Sequence, residues 1–111
     1  LRRYTARLVD LGISQKLPML IGICPIPSGK SARWMKEKLY GTIIPDEIVA
    51  RLDGAKDARE EGKTICIELL QELATIPGIA GAHIMAPVNP SVVPEVIERS
   101  GAQNLQRATM R

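Results

Sequence analysis

The chain contains no phenylalanine, one tryptophan and two tyrosines among its 111 residues. Any core must therefore be aliphatic, and a stacking platform for single-stranded nucleic acid has almost no material. Cysteine is scarce as well. Cys24 and Cys66 lie far apart, each in an apolar segment, with no CxxC spacing and only one histidine, His83. That pattern argues against a metal site and reads as two buried, reduced thiols in a reducing, cytoplasmic setting. No apolar run approaches the roughly 20 residues that cross a bilayer, so no membrane partner is expected. No signal peptide is visible, and the first residue is Leu1 rather than Met, which reads as a piece of a longer protein. Charge of one sign is not concentrated anywhere. The net charge is +3, with a small basic excess at the two ends, Arg2, Arg3 and Arg7 at one and Arg107 and Arg111 at the other. A nucleic-acid footprint needs clustering on one face; this distribution reads as a solvated surface with no nucleic-acid partner.

What is present is a composition of 45% hydrophobic and 24% charged residues, which specifies a folded chain of one small domain. "YTARLVDLG" (4–12) places Leu8, Val9 and Leu11 on one side of a helix that Gly12 stops. "LPMLIGICPI" (17–26) is apolar on both faces, as a buried parallel strand is, with Pro18 tolerable near its start. A helix over 31–41 takes Ser31 as N-cap and Gly41 as stop, and another over 44–54 has Pro45 in its first turn. A longer helix over 55–76 carries Ala58, Ile65, Leu69, Leu70 and Leu73 near one face, weakened in its middle by Gly62. "GIAGAHIMA" (78–86) is a second buried-type strand, its core near 79–86, and 89–101 is a last helix with Pro94 in its first turn and Gly101 at its end. The order helix, strand, helices, strand, helix predicts an α/β fold with parallel strands. Two strands cannot cover themselves, so their free edges require further strands.

The stretch "GICPIPSGKS" (22–31) ends like a nucleotide-binding P-loop in Gly29-Lys30-Ser31. The Walker pattern requires its first glycine at position 24, which is Cys24. Pro25 and Pro27 also lack the backbone N–H groups by which such a loop cradles phosphate. The segment reads instead as a stiff strand-to-helix connection, at the end of a strand where α/β proteins place their sites. His83 reads as a satisfied structural histidine, since no Cys, Asp or second His lies near it in sequence. Met85 and Pro87 stand where the second strand ends and fit an apolar wall, though core packing explains Met85 equally well. Helix-start chemistry accounts for Asp46-Glu47 and a solvated helix face for Glu60-Glu61. No catalytic acid–base pair emerges within the chain.

Four blocks taken together, "LPMLIGICPIPSGKSARWM", "GTIIPDEIVARLDGAKD", "EEGKTICIELLQEL" and "IPGIAGAHIMAPVN", resemble the C-terminal part of the methylenetetrahydrofolate reductase family in order and spacing. The resemblance spans about residues 1–101. It implies the C-terminal portion of a (β/α)8 TIM barrel, with residues 17–26 as strand seven and 79–86 as strand eight. A full barrel takes about 250 residues, so the rest of the barrel is an implied partner. The implied activity is flavin-dependent reduction of 5,10-methylenetetrahydrofolate to 5-methyltetrahydrofolate, in one-carbon metabolism and methionine biosynthesis. The implied cofactors are FAD and reduced nicotinamide or another electron donor. The catalytic glutamate and most FAD contacts of the family have no counterpart in this chain.

In well-known bacterial members the helix after strand seven brings a Gln and, one turn on, a stacking Phe to folate. Those positions fall on Ser31 and Met35, with Trp34 adjacent as a substitute ring. The family's His-Phe-Tyr-Thr run after strand eight reads His83-Ile84-Met85-Ala86 here. The implied substrate-binding set is thus Ser31, Met35, Met85 and Pro87, on an aromatic-poor branch of the family. Two rival readings stand beside it: a truncated, non-catalytic barrel acting as an interaction or assembly subunit, and another TIM-barrel enzyme with a similar C-terminal half. A homo-oligomer or a partner subunit is open under each.

Overall fold

The computed structural model describes residues 1–103; Arg107 and Arg111 lie outside the described residues. Helix α1 (Arg2–Asp10) is followed by strand β1 (Met19–Ile23), then α2 (Gly29–Lys38), α3 (Asp46–Gly54), α4 (Ala58–Leu73), β2 (Ile79–Ile84) and α5 (Val92–Ser100). The predicted order of elements is therefore found. The chain divides into two units, one of Leu1–Cys24 with the chain from Ile67 onward, the other Pro25–Cys66.

In the first unit β1 and β2 pair in parallel, with Leu20 opposite Gly81, Gly22 opposite His83 and Ile23 opposite Ile84. Both strands are shorter than the expected 17–26 and 79–86. Pro25 and Pro27 follow β1 and cannot donate ladder hydrogen bonds. The expectation of strands buried on both faces is corrected. Met19, Ile21 and Ile23 are half-buried, whereas Leu20 is 63% exposed and Gly22 is exposed. Alternation of side chains across the pleat gives β1 one covered and one open face.

Helix α1 ends as predicted: the Gly12 N–H donates to the Val9 carbonyl at 3.0 Å with φ of +71°, a conformation that glycine adopts without a Cβ clash. Its expected apolar face is corrected. Val9 and Leu11 are exposed, Leu8 is half-buried, and the buried residue is Thr5, whose hydroxyl donates back to its own helix. Gly78, with φ of +91°, lies close to α1: a Cβ there would fall 2.8 Å from Val9 Cγ2. Ile67, Leu70, Leu73, Ile76 and Val96 are buried in this unit, while Leu69, expected inward, is 40% exposed.

In the second unit a small aliphatic core joins Ala32, Ile44, Leu52 and Ile65, with Ile26, Met35, Ile48 and Val49 packed against it. The expected cap of α2 is corrected: the helix starts at Gly29 and its N-cap is Ser28, not Ser31. Ser28 is extended, and its Oγ accepts the Ser31 N–H at 3.0 Å. A serine three residues before a free N–H supplies the cap wherever the intervening residues can turn, and Gly29 and Lys30 turn. Pro45 is the N-cap of α3, one residue ahead of its expected place inside the first turn. The longest helix starts at Ala58 rather than 55, because Asp57 Oδ1 accepts the Glu60 N–H at 3.2 Å and closes the first turn. Gly62, read from sequence as a weak point, is a close-approach site. A Cβ there would lie 2.0 Å from the Ile26 carbonyl oxygen, so α4 presses directly onto that backbone.

Candidate functional site

The second unit contributes the α2 surface. Ser31 is half-buried and its hydroxyl accepts from Ser28 Oγ at 3.0 Å. Met35, half-buried, packs against the aliphatic core. Trp34 is 56% exposed, so of the two neighbours the tryptophan is the side chain that α2 offers to solvent. Sequence spacing alone could not rank them, because it does not say how far the helix is rotated about its axis.

The first turn of α2 also answers the P-loop question. Asp53, near the end of α3, lies against Gly29 so closely that a Cβ on that glycine would sit 1.9 Å from Asp53 Oδ1. The other carboxylate oxygen accepts from Arg33 Nη1 at 2.6 Å. A helix N-terminus attracts an anion, and here the chain supplies its own. The arrangement does not fit the phosphates of a dinucleotide or flavin cofactor, and no residue of this chain is assigned to one.

Of the paired acids, Asp46, Glu60 and Glu61 are tied to cations within the same unit. Asp46 pairs with Lys36, whose hydrogen bond, and then its charge, hold the Asp46 carboxyl below the usual carboxylate range. Glu61 accepts from Arg51 Nε at 2.8 Å and pairs with its Nη2 at 2.6 Å, and Glu60 pairs with Lys63 at 3.3 Å. Glu61 therefore ties α4 to α3 rather than facing water alone, which the sequence reading missed. Its only sequence signal was an Arg ten positions upstream, and nothing in a one-dimensional pattern brings those two helices together.

The first unit contributes the end of the sheet. The Met85 N–H donates to the Ile23 carbonyl at 2.9 Å, extending the ladder past β2. Met85 is 45% exposed, and its Cε would meet a Cβ placed on Gly22 at 3.3 Å. Pro87 follows, also exposed. His83, read from sequence as a satisfied structural histidine, is exposed beside its register partner Gly22, because strand alternation turns it to the open face. Burial raises the Cys24 thiol above its ordinary value, and the two cysteines form no disulfide, Cys66 being buried and Cys24 half-buried. A shallow groove lined by Leu1, Arg2, Leu69, Leu73 and Ile76 also lies in this unit; it holds none of the expected site residues. Among the described residues no cluster of His, Cys, Asp and Glu could hold a metal ion, and no helix is long and apolar enough to cross a membrane.

Compared with known proteins, residues 1–101 match the family model of methylenetetrahydrofolate reductase. The chain belongs to the methylenetetrahydrofolate reductase family. No curated protein and no solved structure gives a match. Membership agrees with the sequence resemblance over the same span and places the chain in a family of folate-acting oxidoreductases. The five helices and two parallel strands of the described residues are compatible with part of a barrel.

Proposed function

We propose that this chain forms strands seven and eight, with their helices, of a (β/α)8 barrel that reduces 5,10-methylenetetrahydrofolate to 5-methyltetrahydrofolate with FAD. The family match over residues 1–101 carries the reading. The open face of the sheet supports it, since Leu20, Gly22, His83 and Met85 stand where a barrel turns strand residues toward its interior. FAD supplies hydride transfer; most of the groups that hold it and the catalytic acid belong to other strands of the barrel.

Ser31, Met35, Met85 and Pro87 are the folate-lining residues of this reading. Trp34 joins them, because it presents an exposed flat ring where Met35 turns toward the core. A flat apolar side chain is what a pterin or aminobenzoyl ring stacks on.

The test uses the complete protein containing this chain, purified without added cofactor. A bound-flavin visible spectrum that bleaches with a reductant and returns with methylenetetrahydrofolate is expected. A colourless protein that takes up no FAD overturns the reading. Within an active enzyme, Trp34→Ala is expected to raise the folate KM by about tenfold, the loss of roughly 1–1.5 kcal/mol of ring contact. An unchanged KM removes Trp34 from the site.

A further inference from the structure

We propose that Asp53 is a positioning residue, which holds the first turn of α2 and thereby sets the direction in which that helix offers Ser31 and Trp34 to folate. The inference rests on the folate reading above for its kinetic consequence, and on geometry for the rest.

Asp53 sits in the last turn of α3, where the helix dipole disfavours a carboxylate and favours a cation. Its location makes sense through what it meets. One oxygen lies close against Gly29, 1.9 Å from where a Cβ would stand, and the other takes the Arg33 guanidinium one turn further along α2. The carboxylate thus bonds one turn of α2 and packs against the turn before it, at the helix's positive end. Lys36 pairs with Asp46 at the opposite end of α3. Two ties at opposite ends of an antiparallel helix pair fix both sliding and rotation about the axis.

The Asp53–Arg33 pair is about half exposed on both sides, 48% and 51%. Pairs of that exposure contribute little to global stability. Loss of Asp53 is therefore expected to loosen one helix rather than unfold the protein. The same geometry explains the Gly-Lys-Ser ending that resembles a phosphate loop. Gly29 leaves room for the neighbouring carboxylate rather than for a nucleotide.

The experiment compares Asp53→Asn with wild type in the complete flavoprotein, by amide hydrogen exchange over residues 29–38 and by separate half-reactions. Exchange in the first turn of α2 is expected to rise by about tenfold. The folate KM is expected to rise about fivefold with kcat and donor-driven flavin reduction held within about twofold, as slight misplacement of a binding helix does. Wild-type exchange and KM in the variant overturn the proposal. So does a parallel fall of both half-reactions together with melting temperature, which is the signature of a structural role. Arg33→Gln is the second variant, milder because Asp53 keeps its place on Gly29. It is expected to give a smaller change of the same kind, and wild-type exchange in it, should Asp53→Asn not fold, is also refuting. If the wild-type protein turns over no folate, the folate clause fails separately; exchange alone then decides whether Asp53 holds α2.

Discussion

The two units are made from the same aromatic-poor stock and solve the problem of burial differently. In Pro25–Cys66, Ala32, Ile44, Leu52 and Ile65 close on one another, and three ion pairs, Arg33–Asp53, Lys36–Asp46 and Arg51–Glu61, join successive helices around them. In the other unit a two-stranded sheet leaves Leu20 63% exposed and Met85 45% exposed on one face. Helices satisfy their backbone groups internally and need only one packed stripe, whereas a strand needs neighbours on both edges and cover on its apolar faces. A helical segment can therefore assemble a small core of its own, and a two-stranded parallel sheet cannot.

Breaking the core of the helical unit should produce the largest effect. Leu52 is 1% exposed, and Leu52→Ala is expected to cost about 2–5 kcal/mol by loss of burial and a residual cavity, read from urea denaturation. Gly62→Ala comes next and has an unusual sign. At an ordinary helix position this change stabilises by about 1 kcal/mol. Here the new methyl would meet the Ile26 carbonyl, so a loss of about 1–3 kcal/mol is expected; a gain in stability would show that the close approach is absent.

Leu20→Ala sharpens the contrast between the units. In the 111-residue chain the side chain is 63% exposed, and a shift within about 0.5 kcal/mol is expected. In the complete protein, where the barrel reading has other strands cover that face, the same change should cost about 2 kcal/mol or more. Equal small effects in both contexts would count against a barrel.

The smallest effects concern pH, and they run in opposite directions in the two units. Asp46 is held low by Lys36, so its contribution is present above the unfolded carboxyl value, about 3.9, and is lost as pH falls through the lower folded value. Being fully exposed, it should make only a slight difference, seen as a shallower acid limb below pH of about 4 in Asp46→Asn. The Cys24 thiol is raised by burial. Its contribution is fully present below the unfolded value, about 8.5, and declines as pH rises through the folded one. Alkylation of Cys24 at pH of about 8 should be slower than that of an unfolded thiol of ordinary pKa; equal rates would refute the shift.

Several site features were legible without coordinates because they depend on local chemistry. Pro25 and Pro27 rule out a phosphate-cradling loop wherever they sit, since neither carries an N–H. Ser31 and Met35 were reached through family resemblance, whereas Met85 and Pro87 were reached first from their place at the end of the second strand. The rotation of α2 was not legible, so the sequence could not show that Met35 packs against the aliphatic core while Trp34 stays outside. Asp53 left no signal, because an acid at the end of a helix looks like a solvated residue until the partner helix is known.

The order of elements, the stop at Gly12, the cap at Gly101 and the parallel strand type were determined by sequence alone. Each follows from short-range rules of backbone freedom and hydrophobic pattern, which act over a few residues. Tertiary structure decided the choice of Ser28 over Ser31 as cap, the need for glycine at 62, the close approaches at Gly29 and Gly78, and the exposure of His83 and Leu20. Those depend on which atoms of distant segments come within a van der Waals radius of one another, a quantity that no local pattern contains.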